Sequence, residues 1–443
     1  MTRRDFYVIF GLGKTGLSCI NYCLKRDIPF SVIDTREQPP QLNALNALVK
    51  DAKTTFGQLS EQVIEHATTL IVSPGVSLSH PIVVAAREKN IPVIGDIELF
   101  TREVKQPIVA ITGSNGKSTV VNLLGEMAKQ AGKTMPVAGN IGVPVLDIIN
   151  TACDGYILEL SSFQLQSLSS IKTRVASILN ICEDHMDRHA DMDEYISAKK
   201  RIYHDCETAV VNRHDQRLYP DDKSTPVISF GLDKPKSDHF GVIKEKDQIY
   251  LVYGKEKIIC ADQIKIKGQL NRLNMLAALA VGYHYGFDLS SMCDVLTTFN
   301  GLPHRCQLVR ELSGVYWYND SKATNVGATL AALQSLSENL QGKIVLIVGG
   351  LAKGIDFLPL RLAVKHFVRK VILFGAAAKQ IGRVLSGVVS IDYAADLTEA
   401  VQIADLASIR GDVVLLSPAC ASFDMFNNFA HRGSEFARIV NEL

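Results

Sequence analysis

Short apolar runs alternate along the chain with stretches whose apolar positions recur at helical spacing. Residues 6–10, 31–33, Thr69–Val72 and 92–94 read as strands. Between the first two, residues 15–26 place Leu17, Ile20 and Leu24 on one face and read as a helix. A composition break at 103–107 precedes a new strand at 108–111. The helix after it starts near Ser118, carries Val120, Leu123, Leu124 and Met127 at helical spacing, and stops near Gly132. Further strands are expected at 155–160, 175–181 and 208–211. Residues 225–266 are richer in Lys, Asp and short alternating runs (Gln248–Tyr253, 257–260) and predict a small antiparallel excursion. A helix follows at 270–285. A third series opens near Gly301-Leu302-Pro303, with strands at 315–318, 343–348, 370–374 and 412–416. Strand–helix alternation of this kind implies parallel sheets covered by helices, so the fold class is α/β. The breaks predict three domains, at 1–97, 98–300 and 301–443.

Composition agrees. A chain of 443 residues fits about three domains. Hydrophobic residues at 47% against 21% charged supply several cores and argue against disorder. Lys+Arg is 47 and Asp+Glu 46, a formal charge of +1, which argues against coating nucleic acid or anionic membrane. No apolar run approaches the ~20 residues of a membrane span. The N-terminal run breaks at Gly11, Gly13 and Lys14, too early for a secretory signal. Nine scattered cysteines with no CxxC pair point to free thiols in a reducing cytoplasm.

Two turns carry phosphate chemistry. Gly11-Leu12-Gly13-Lys14-Thr15-Gly16 is a G-x-G-x-x-G between strand and helix, where the backbone can approach a pyrophosphate at the positive helix end. Asp34 ends the next strand, where an acid often accepts a ribose hydroxyl; alone, this reads as NAD binding or as close helix–strand packing. Arg36 follows as a charge for phosphate or ribose, or as a loop residue. The second turn is Thr112-Gly113-Ser114-Asn115-Gly116-Lys117-Ser118-Thr119. Its backbone N–H groups form a phosphate nest, Lys117 reaches the terminal phosphates, and Ser118 can ligate Mg²⁺. The first position of the usual P-loop pattern is Ile111, so this is a shortened variant. Glu159, at a strand end, suits the metal. Glu183-Asp184-His185-Met186-Asp187-Arg188 crowds ionisable groups at another strand end, where His185 has a metal or catalytic reading. Asn140 lies in a turn, Gly139-Asn140-Ile141-Gly142. The domains are therefore Rossmann-like, P-loop ATPase-type and Rossmann-like in order. Two phosphate sites imply two ligands, one activated at the expense of ATP. An NAD-dependent oxidoreductase remains open, although it leaves Thr112–Thr119 without a task. So does a non-enzymatic P-loop switch, although it gives no reason for polar clusters in a third domain.

In order along the chain, Gly11–Gly16, Asp34-Thr35-Arg36, Ser73-Pro74-Gly75, the second turn, Gly139–Gly142, Glu159–Leu165, the acidic run at 183–188, Gly301–Arg305, Asn319–Asn325 and Ser417–Phe429 resemble the Mur ligases of peptidoglycan synthesis. The resemblance covers nearly the whole chain. It implies that the N-terminal domain binds UDP-N-acetylmuramoyl-L-alanine through Gly13, Lys14, Thr15, Asp34, Thr35, Arg36, Gly75 and Asn140; the family form at position 14 is apolar. ATP would meet Gly113, Ser114, Asn115, Gly116, Lys117, Ser118, Thr119, Asn271, Asn274, Arg305 and Asp320, with His in the family where Leu270 stands here. Two Mg²⁺ would be held by Ser118, Glu159, His185 and Lys199, the last as a CO₂-derived carbamate; residue patterning alone puts Lys199 on a solvated helix face. D-glutamate would meet Thr324, Lys353, Ser422, Phe423 and Phe429, though without the resemblance the phenylalanines read as core. The catalytic set would be Lys117, Asn140, His185, Lys199 and Lys322. Folylpolyglutamate synthase, the nearest rival within this reading, lacks an N-terminal domain of the Gly11–Gly16 type. The implied enzyme is an ATP-dependent ligase adding D-glutamate, a cytoplasmic monomer without nucleic-acid partners.

Overall fold

The computed structural model describes residues 5–338, 340–352 and 354–443. Three sheets follow one another. The first is wholly parallel, with strands in the spatial order Thr54–Phe56, Phe30–Asp34, Tyr7–Phe10, Thr69–Val72 and Val93–Ile94. The second is also parallel, in the order Val227–Phe230, Ala209–Asn212, Val175–Ile178, Ile108–Thr112, Tyr156–Glu159 and Val137–Gly139. The third runs Gln307–Leu312, Val315–Asn319, Val413–Leu416, Ile344–Gly349, Val368–Phe374 and Ser390–Tyr393, and only its first pair is antiparallel. The central strands are fully buried apolar runs, as a sheet covered on both faces requires. The α/β reading in three units matches. The antiparallel excursion is a three-stranded meander, Phe240–Glu245, Gln248–Tyr253 and Glu256–Cys260, whereas Val227–Phe230, at the start of the stretch expected to be antiparallel, pairs in parallel as an edge of the second sheet.

The helices fall close to their expected positions, at Lys14–Lys25, Lys117–Gln130 and Gln269–Tyr285. The strands the patterning did not pick out are mostly edges. Thr54–Phe56, Gln307–Leu312 and Ser390–Tyr393 are half exposed, so they carry no buried apolar run.

One apolar core runs without a break from the first sheet into the second, joining Ile9, Leu12 and Phe100 to Tyr156, Leu165 and Ile202. The third sheet keeps its own cores on its two faces. Polar groups link it to the central unit: Arg272 meets Glu338 through Nη2 at 2.8 and 2.9 Å, and the Asn325 amide donates to Asp184 at 3.1 Å. Apolar continuity ties the first two units into one body, and the third is joined by a seam that water can replace. Among the described residues no helix is long and apolar enough to cross a membrane.

Candidate active site

The Gly11–Gly16 turn leads into helix Lys14–Lys25. A Cβ at Gly16 would stand 1.9 Å from the Gly11 carbonyl oxygen, so no other residue fits there. Asp34 holds the same turn from the neighbouring strand. Its Oδ2 accepts the Leu12 N–H at 2.7 Å, and the Arg36 guanidinium grips both oxygens at 2.9 and 2.7 Å. Burial alone would raise this carboxyl; the Arg36 and backbone bonds outweigh it and hold the pKa below the usual range. Both oxygens are therefore engaged in shaping the loop, unlike the free ribose acceptor that the sequence position suggests. A cavity of about 720 Å³ opens at the carboxyl ends of Tyr7–Phe10 and Thr69–Val72, where the strand order reverses. Gly13, Lys14, Thr15, Asp34, Thr35, Arg36 and Gly75 line it on one side. Asn140, Pro144 and Gln164 close it from the central unit.

A second cavity, about 270 Å³, lies over the 112–119 turn. Gly116 has φ +84°, and a Cβ there would meet Asn274 Oδ1 at 2.3 Å. Lys117 Nζ folds back onto the carbonyls of Gly113 and Ser114 at 2.6 and 2.8 Å. The Asn115 N–H donates to Asn180 Oδ1 at 2.8 Å, tying the turn to the strand end beside it. Glu159 is 2% exposed. Its Oε2 accepts the Ser118 hydroxyl at 2.7 Å and its Oε1 accepts the Asn140 amide at 2.8 Å. Asn140 thus belongs to the walls of both cavities. His185, at φ +59°, sets its ring edge-on to Phe163 and lines the second cavity with Asp184.

Four cations converge here: Lys117, Lys199, Arg305 and Lys322. Lys199 projects from helix Met192–Lys200 toward Gly113 O at 3.0 Å and Thr112 Oγ1 at 3.3 Å, and is 1% exposed. The expected solvated face is wrong for it, because the helix turns Tyr195, Ala198 and Lys199 together into the core. Burial, reinforced by Lys117, pushes its ammonium well below the usual lysine range. Lys117 is lowered by burial against the pull of Glu159 and Asp184. Lys322 sits 4.0 Å above the Phe429 ring, its pKa lowered to about 8 by burial and then by Arg305 and Lys117. Neither Arg305 nor Lys322 has an ion-pair partner among the described residues. Such a pocket is completed by a polyanion.

The donor set also fits Mg²⁺. Glu159 is a buried carboxylate held only by neutral donors, and beside it stands the Ser118 hydroxyl, both hard oxygen ligands. Among the described residues no three His, Cys, Asp or Glu side chains converge on a metal position.

A smaller hollow of about 70 Å³ adjoins the turn, lined by Gly116, Thr119, Asn271, Asn274, Arg305 and Asp320. Burial raises the Asp320 carboxyl to about 7, although Ser417 donates to it at 2.9 Å and the Cys306 N–H at 3.1 Å. Thr324 and Lys322 reach the phosphate cavity, whereas Ser422, Phe423 and Phe429 stand outside its lining. Ser422 is buried, Phe423 is 64% exposed, and Phe429 begins the last helix. Lys353 lies outside the described residues.

Models of the Mur ligase middle domain, the MurD-like Mur ligase N-terminal domain and the glutamate ligase domain of Mur ligases match residues 111–282, 5–95 and 304–420. The UDP-N-acetylmuramoylalanine–D-glutamate ligase of Pseudomonas aeruginosa is 47% identical over 439 residues, 99% of this chain and 98% of that protein. The enzyme of the same name from Legionella pneumophila (strain Lens) is 45% identical over 444 residues, 99% of each chain. The chain belongs to the Mur ligase family. The fold recurs in the UDP-N-acetylmuramate-alanine ligase of Thermotoga maritima, with a TM-score of 0.62 at 18% identity over 99% of each chain.

In this Mur ligase the site also contains residues to which the motif reading gave no role. Asn325 caps helix Val326–Ser337 and reaches Asp184 and Asn115 across the polar seam. Arg188 lies over Phe163 at 4.6 Å and donates to the carbonyls of Gly75 and Val76 at 3.0 and 3.1 Å. His189 bonds Ser162 at 3.0 Å beneath the same ring. Asn325 and Arg188 fall inside recognised motifs, and an asparagine directly before a helical run is itself a capping signal.

Proposed function

We propose that this Mur ligase joins D-glutamate to UDP-N-acetylmuramoyl-L-alanine at the expense of ATP, through an acyl phosphate, in peptidoglycan precursor synthesis. One observation carries this reading: a cavity sized for a sugar nucleotide and a triphosphate turn meet at Asn140, and four cations ring the junction.

In this reading Gly13, Lys14, Thr15, Thr35, Arg36 and Gly75 hold the uridine diphosphate end, with Asp34 acting through the turn it braces. The muramoyl-alanine arm then runs past Asn140 into the second cavity. Residues 113–119 cradle the ATP phosphates with their backbone N–H groups. Asn271, Asn274 and Asp320 take the nucleoside. Ser118 and Glu159 would hold one Mg²⁺, and His185 with carbamylated Lys199 a second; bound there, the metal offsets phosphate charge. The carbamate forms when the neutral Lys199 amine attacks CO₂. A C–N bond is made, a proton leaves, and a cation that repels metal becomes an anionic oxygen ligand.

The alanyl carboxylate attacks the γ-phosphorus and ADP leaves. Lys117, Lys322 and Arg305 stabilise the charge that develops on the transferring group. The D-glutamate amine, held by Thr324, Lys353, Ser422, Phe423 and Phe429, attacks the acyl carbon; phosphate leaves and an amide remains. The polar seam lets the third domain close on the acyl phosphate and exclude water. The enzyme works as a cytoplasmic monomer.

The test is phosphate release with mass analysis of the product. Release should require both UDP-N-acetylmuramoyl-L-alanine and D-glutamate, and a panel of D- and L-amino acids should select D-glutamate. Equal release with either substrate omitted refutes coupled ligation.

A further inference from the structure

Among the described residues two lysine or arginine side chains are fully buried, Lys199 and Arg432. The first faces the phosphate cavity. Arg432, in helix Phe429–Glu442, lines none of the cavities described above and has no ion-pair partner among the described residues. Its guanidinium instead donates Nε to Ser321 Oγ at 3.0 Å and Nη2 to Ser321 O at 2.8 Å. Both terminal nitrogens donate to Cys420 O at 3.2 Å, and Nη1 reaches Ala421 O at 3.4 Å. The Ser321 hydroxyl passes the chain on to Phe429 O at 2.8 Å. A third segment presses in as well, for a Cβ on Gly350 would come within 3.2 Å of Nη1.

One planar fork therefore ties together loops that leave two different strands, with the loop after a third packed against it. Ser321 precedes Lys322 and Thr324; Cys420 and Ala421 precede Ser422 and Phe423; Phe429 carries the ring under Lys322. A buried cation bonded only to neutral oxygens is an expensive way to fasten loops, since an apolar side chain of similar volume packs at less cost. The rigid five-donor fork and its unneutralised charge are what such a side chain lacks.

We infer that Arg432 is a positioning residue for the amino-acid substrate: its fork sets the spacing of the Lys322–Thr324 and Ser422–Phe423 loops, and its charge favours a dicarboxylate beside them. This rests on the D-glutamate reading above.

The experiment compares the full-length wild type with Arg432→Lys and Arg432→Met. Phosphate release is titrated separately with D-glutamate and UDP-N-acetylmuramoyl-L-alanine, and acyl phosphate formed before D-glutamate is added is trapped by borohydride reduction. Arg432→Met should raise the KM for D-glutamate about tenfold or more while leaving the sugar-nucleotide KM and the trapped yield within about twofold, the signature of one lost binding function. Arg432→Lys, which keeps the charge and loses the fork, should fall between. Ser321→Ala, a milder cut at the same junction, should move the D-glutamate KM in the same direction and serves if the arginine variants do not fold. Parallel loss in every constant, or an unmoved D-glutamate KM, overturns the inference and leaves the functional reading intact. A wild type without D-glutamate-dependent release overturns both.

Discussion

Lys199→Ala separates a structural lysine from a carbamate. The side chain is 1% exposed and points at Gly113 O and Thr112 Oγ1. Truncation removes three buried methylenes, a loss of about 2.4 kcal/mol at roughly 0.8 kcal/mol each. Burial and Lys117 both disfavour its charged form, so removing the amine offsets part of this. The variant should therefore fold, with a lowered melting temperature. Catalysis should suffer far more. Loss of one charge contact in the transition state costs about 2.7–4 kcal/mol, or roughly 10²–10³-fold in kcat. Phosphate release is measured in bicarbonate-supplemented and CO₂-depleted buffer, with and without formate, acetate or propionate. The variant should recover activity when a short carboxylate enters the space the side chain left, and the wild type should gain nothing from it. Full activity in the untreated variant refutes the reasoning, as does a wild type indifferent to CO₂ removal.

Gly116→Ala should cost about 1–2 kcal/mol from its left-handed backbone alone and should raise the KM for ATP by displacing Asn274; chemical denaturation and ATP titration read the two effects separately. The Lys322 ammonium is charged below about 8 and neutral above it, so kcat/KM for ATP should fall as pH rises through that value, and Lys322→Arg should remove the falling limb. Asp320 has its folded-state pKa raised to about 7 by burial, above its unfolded value, so its stabilising protonation is complete below the unfolded pKa and is lost as pH rises through about 7. Asp320→Asn, which keeps one acceptor for the Cys306 N–H and turns an amide donor toward the Ser417 hydroxyl, should therefore raise stability above neutral pH by up to about 4 kcal/mol, from roughly three units at 1.36 kcal/mol each, while weakening ATP use. A melting temperature that falls at pH 8 counts against that assignment.

Where burial is total, the sequence was legible. The central strands are continuous apolar runs, and the turns at 11–16 and 112–119 carry glycines that backbone geometry demands. Edge strands such as Thr54–Phe56 escape notice because solvent takes one side of them. Lys199 escapes for a different reason: Lys200 and Arg201 beside it are only half-buried, and only the tertiary path of helix Met192–Lys200 decides which of three adjacent basic side chains turns fully inward. Asp34 shows the converse. The residue type at that strand end suits a sugar hydroxyl, but the Arg36 fork two positions later competes for the same oxygens, and the pairing depends on a loop conformation that spacing alone does not specify.

Arg188 reaches from the loop of His185 onto the carbonyls of Gly75 and Val76 in the first domain. Its own N–H is bonded to His185 O at 2.9 Å. Gly75 and Val76 in the wall of the first cavity and His185 in the wall of the second are thus joined through one side chain. One arginine fastens together the walls of two chambers, so a substitution at position 188 loosens both at once.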